Sequence, residues 1–122
     1  MVNRKSLDGF DVYRVAKEAK QLVVANSAKW MGLPGEVNPQ LNRAMASVVL
    51  NIAEGAGRWS ANDQRRHYSI ANGSVYEVMA CLDILDMHGV VGEPLRGEIA
   101  ARLDRVAMML AALNRRLSAS AR

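Results

Sequence analysis

The chain has 122 residues, half of them apolar but only 5% aromatic, a formal net charge of +4 and a single cysteine, Cys81. That length suits one domain with an aliphatic core. A lone thiol excludes an internal disulfide, the lack of any apolar run of about 18 residues excludes a membrane-spanning helix, and the net charge admits an anionic partner without requiring one.

The opening "MVNRKSLDGFDVY" lacks the apolar run of a signal peptide, so a soluble cytoplasmic protein is expected. The first helix is predicted over about 8–31, with Asp8 as N-cap and Phe10, Tyr13, Ala16, Ala19, Val23 and Trp30 at near-helical intervals. Gly32, Pro34, Gly35 and Pro39 break it. The second helix is predicted over 39–56, with Asn38 as N-cap and Pro39 at the first helical position. Gly55 and Gly57 end it, one of them as a left-handed cap.

Ser60 caps a third helix over 61–88. Ala71, Val75, Val78, Leu82 and Leu85 alternate by four and three along it, which is a heptad seam. Gly73 with Ser69 and Ala80 reads as a strip for close helix approach, and Cys81 as a small buried hydrophobe. Glu93–Pro94 opens a fourth helix over 94–118, whose seam is Leu95, Ile99, Leu103, Val106, Leu110, Leu113 and Leu117. The "SASAR" tail is expected to fray. Short connections make neighbours antiparallel, so the prediction is an all-α, up-down-up-down four-helix bundle in one domain spanning 1–122.

The second helix carries a polar stripe: Arg43, Ser47, Asn51, Glu54 and Arg58 fall within roughly 80° of arc. The stripe reads either as a solvated face, as an internal polar network, with Glu54 paired to Arg58 or Arg43, or as an anion site using Arg43 and Arg58. The rest of this helix is apolar, more than a bundle core needs, which predicts that sister chains cover the excess in a homo-oligomer.

At the third helix entrance Arg58, Arg65 and Arg66 form a basic corner around Trp59. A helix N-terminus favours anions, and cations interleaved with an aromatic suit nucleic acid. Trp59 itself reads as a plug over the bundle end. Arg115 and Arg116 add charge without an acid beside them. No phosphate loop, HExxH, GxSxG or paired cysteine occurs, and "RRHYS" and "MHGVVGE" lack di-metal spacing. His67 and His88 read as surface or cap residues, so no catalytic residue, metal or cofactor is expected.

"QLNRAMASVVLNIAEGAGR" and "SIANGSVYEVMACL" closely resemble the four-helix bundle family called 23S rRNA-intervening-sequence or S23 proteins, from about Phe10 to Leu113. The resemblance rests on Gln40, Arg43–Ala44, Ser47, Asn51 to Gly55, Gly57–Arg58, Ala71, Gly73–Ser74 and Glu77. It implies a small bacterial cytosolic protein similar to the accessory proteins of diversity-generating retroelements. Those look like homopentameric rings whose basic surface binds nucleic acid and a reverse transcriptase. It also implies that Glu77 and the stripe on the second helix hold fold and ring together. The reading is therefore a non-enzymatic, ring-forming bundle offering Arg58, Arg65, Arg66, Arg115 and Arg116 to RNA or DNA. The alternative is a scaffold that docks another protein, such as a reverse transcriptase.

Overall fold

The computed structural model describes residues 7–30 and 37–120, and those residues form helices and turns with no strand among them. The four helices are α1 (Asp11–Asn26), α2 (Val37–Gly57), α3 (Ala61–Met87) and α4 (Leu95–Ser120), with a 3-10 turn at Ser27–Trp30. Each of α1 and α3 packs on both α2 and α4, which closes a four-sided bundle. No described helix is long and apolar enough to cross a membrane.

Both predicted seams point inward. Ala71, Val75, Val78, Leu82 and Leu85 of α3 face Ile99, Leu103, Val106 and Leu110 of α4 across a core that also takes Val15 and Val23 of α1 and Leu41, Met45, Val48 and Ile52 of α2. Each large aliphatic side chain removed from water contributes about 1.5–3 kcal/mol, so this seam outweighs any single polar contact. Trp30, at the end of the 3-10 turn, is fully buried and belongs to the core. Cys81 is buried, and burial followed by the negative charge of Glu77 pushes its thiol pKa up.

Several helix ends differ from expectation. α1 starts at Asp11 and ends at Asn26, with Phe10 rather than Asp8 in the N-cap position and no side-chain cap there. α2 starts at Val37, so Asn38 and Pro39 lie inside its first turn, and the Asn38 backbone and side-chain oxygens accept from Asn42 Nδ2, both at 2.9 Å. The predicted breakers Gly32, Pro34 and Gly35 lie outside the described residues. Neither Gly55 nor Gly57 is a left-handed cap, because both remain helical. Among the described residues the left-handed position is Gly89, which ends α3. There Val90 N–H donates to Leu85 O and Gly89 N–H to Asp86 O, the paired bonds that satisfy a helix's last carbonyls.

α4 continues to Ser120, so Ser118, Ala119 and Ser120 of the predicted fray are helical, and residues 121–122 lie outside the described residues. Its first turn is held by Glu93, whose Oε2 accepts from Gly97 N–H at 3.0 Å. Ser60 caps α3 as expected, accepting from Asp63 N–H at 3.1 Å. Gly73 is exposed and a Cβ there would meet nothing, so its close approach is not made within one chain.

Candidate nucleic-acid interface

One end of the bundle collects the end of α2, the start of α3, the later part of α4 and the start of α1. Three contacts fix this gathering. Arg58 Nε of α2 donates to His67 Nε2 of α3 at 3.1 Å. Asn114 Nδ2 of α4 donates to Ser69 Oγ of α3 at 3.2 Å. Phe10, at the head of α1, stacks at a tilt on Tyr68, ring centroids 6.3 Å apart.

Arg58, Arg66, Arg115 and Arg116 are exposed at this end, and Arg65 is half-buried with its Nε unpaired. Arg14 lies near them but is neutralised by Asp11 at 2.8 Å. Trp59 is fully exposed, which overturns its expected role as a plug. It sits in the short link between α2 and α3, which leaves it no hydrophobic neighbour to cover.

The polar stripe on α2 divides. Ser47, Asn51 and Glu54 are drawn into a directional chain with α3. Asn51 Nδ2 donates to Ser47 O at 3.0 Å and to Ser47 Oγ at 3.1 Å. Ser47 Oγ lies 2.7 Å from Ser74 Oγ, across the helix interface. Asn51 Oδ1, left free to accept, lies 3.1 Å from His67 Nδ1. Glu54 Oε2 is 3.6 Å from both Arg58 Nη2 and His67 Nδ1. Arg43 and Glu77 are exposed, and neither forms an ion pair or hydrogen bond with this chain of groups among the described residues.

His67 is the main correction here: read from sequence as a surface or cap residue, it is only 6% exposed and joins the stripe to the arginine corner. Its signal lay in register, since only α2–α3 packing puts residue 67 opposite residues 51 and 58. His88, by contrast, is the exposed C-cap of α3.

The far end has the opposite character. Arg96 at the start of α4 pairs with Asp83 and, at 3.8 Å, with Asp86 near the end of α3. No cluster of three or more His, Cys, Asp or Glu among the described residues could hold a metal. A recess of about 300 Å³ between Phe10, Asp11, Met109, Leu113 and Arg116 has an apolar floor. Its one carboxylate is already bound to Arg14.

The expected excess of exposed apolar area on α2 is smaller than its sequence suggests. α1 and α3 flank α2, so Val49 and Ala53 pack half-buried against the core and Leu50 alone among its large apolar residues stands open. The unpartnered apolar stripe lies instead on α3, where Ile70, Tyr76, Ile84 and Met87 are exposed beside Gly73 and Ala80.

These features define an all-α helical bundle with a basic end. The chain belongs to the 23S rRNA-intervening sequence protein family, whose model matches residues 10–112. It is similar in fold to the crystal structure of a protein of unknown function from the S23 ribosomal protein family of Bacteroides thetaiotaomicron. The TM-score is 0.78 at 17% identity, over 84% of this chain and 97% of that one. Neither description names an enzymatic activity. No curated protein matches the chain.

Proposed function

We propose that the protein is a non-enzymatic, homo-oligomeric, antiparallel helical bundle that binds RNA or DNA through its basic end. The carrying observation is the convergence of Arg58, Arg65, Arg66, Arg115 and Arg116 at that end, with Trp59 standing free among them. Guanidinium groups neutralise phosphates, and an exposed indole offers a stacking surface for an unpaired base. The Asn114–Ser69 and Arg96–Asp83 contacts support the antiparallel order, since each joins opposite ends of α3 and α4. The exposed stripe on α3 supports assembly with further copies, the pentameric ring among them, because small residues at 73 and 80 allow helices to approach closely. Filter binding of a structured RNA and a DNA of the same sequence tests the reading. Salt-sensitive retention supports it, and no retention at low salt removes it.

The second reading, a scaffold that docks another protein such as a reverse transcriptase, draws on the same α3 stripe. Capture of the reverse transcriptase that survives nuclease treatment, without oligonucleotide retention, favours it.

A further inference from the structure

We propose that His67 is a proton-dependent latch on Arg58, which regulates the basic end and rests on the reading of that end as a polyanion-binding surface. The proton positions follow from the neighbours. Asn51 spends its amide N–H groups on Ser47, so its Oδ1 is the acceptor that faces His67 Nδ1. Nδ1 therefore carries the ring hydrogen, and Nε2 presents a lone pair. Arg58 Nε can only donate, and it donates to that lone pair at 3.1 Å.

A proton taken from solvent onto Nε2 sets two N–H donors against each other. One must leave. His67 is buried and its neighbour Tyr68 is locked against Gly55, whereas the Arg58 side chain is half-exposed. Arg58 swings out to the surface. Glu54 stays 3.6 Å from Nδ1 and balances the imidazolium. The charged groups in contact with the ring are Glu54 and Arg58, both from α2, and no ion pair joins it to a residue of its own helix among the described residues. Among the described residues α1 and α4 form no ion pair with it. Acidification thus adds one charge at His67 and releases a guanidinium for phosphate. By reciprocity, a polyanion that takes Arg58 favours protonation of His67.

Nitrogen-15 NMR of the full chain, without ligand, tests the latch. The expected result is an Nδ1–H tautomer and a protected Arg58 Nε–H at neutral pH, with both changing at one midpoint on acidification. In His67→Gln, which accepts but does not titrate, the Arg58 signal stays protected throughout. An Nε2–H tautomer, or an Arg58 signal indifferent to His67 protonation, overturns the proposal. Affinity for a single-stranded oligonucleotide should rise roughly tenfold more on acidification in the wild type than in His67→Gln, the worth of one charge-assisted hydrogen bond. Equal pH dependence in the two proteins overturns the regulatory role. Absence of oligonucleotide binding at every pH defeats the surface reading, while the resonances alone then judge the latch.

Discussion

Gly55 of α2 and the Tyr68 ring of α3 are in direct contact: a Cβ at residue 55 would stand 2.4 Å from Tyr68 Cε1. This is why glycine persists inside a helix, where it costs up to about 1 kcal/mol relative to alanine. Tyr68 is itself buried, with the Phe10 ring against it. Gly55→Ala should destabilise the fold by about 1–2 kcal/mol, the overpacking cost less the gain in helix propensity. Gly57, helical with open space around it, is the control. Gly57→Ala should be neutral or stabilising by up to about 1 kcal/mol. Denaturant midpoints of the two variants check the contrast, and equal losses in both would disprove the packing role.

The start of α3 depends on one hydroxyl. Ser60 Oγ satisfies the Asp63 N–H, which has no partner within the helix. Ser60→Ala should cost about 1 kcal/mol and Ser60→Asp should restore it. Thermal unfolding of the pair measures this. A Ser60→Ala protein as stable as the wild type refutes it.

Alkaline pH should weaken the protein. Burial raises the pKa of both the Cys81 thiol and the Tyr68 phenol above their ordinary values. The folded state then keeps two protons that the unfolded chain releases as pH climbs through the ordinary thiol range, about 8.5, and phenol range, about 10. Their contribution is fully present below those ranges and is lost progressively above them. Urea unfolding between neutral pH and the phenol range should show falling stability, with a smaller fall in Cys81→Ala. The same burial should make Cys81 slow to react with thiol reagents until the protein unfolds.

The apolar stripe of α3 predicts association. Replacing Ile84 and Met87 with Glu places like charges where copies would meet, and should lower the solution mass measured by light scattering at matched concentration. Since Met87 is 80% exposed and Ile84, at 37%, lies outside the buried core, circular dichroism should stay helical. A monomeric wild type at high concentration contradicts the assembly.

Hydrophobic period made the four helices and both seams legible, because burial on one face leaves its spacing in the sequence. The α3 cap was equally plain, since a serine before a helix has one local task. What the spacing does not carry depends on facing pairs. Gly55 looks like a terminator until Tyr68 is placed against it, and His67 looks like surface until Asn51 and Arg58 meet it. The composition of α2, the more apolar helix, points to an exposed apolar face there, but flanking by two neighbours hides most of it. The basic corner of Arg58, Arg65 and Arg66 is legible as a local cluster and Arg115–Arg116 as a basic pair without an acid, whereas their meeting at one end follows from the contact of Asn114 with Ser69.

Filter binding at two salt concentrations, with wild type and the Arg65→Glu/Arg66→Glu variant, tests the central claim most directly. Each phosphate neutralised on duplex steepens the log–log salt slope by about 0.9, so engagement of the five arginines gives a slope of about −4 to −5. The wild type should show that slope, and the variant a loss of affinity with a shallower slope. No retention at low salt, or identical curves for the two proteins, contradicts it.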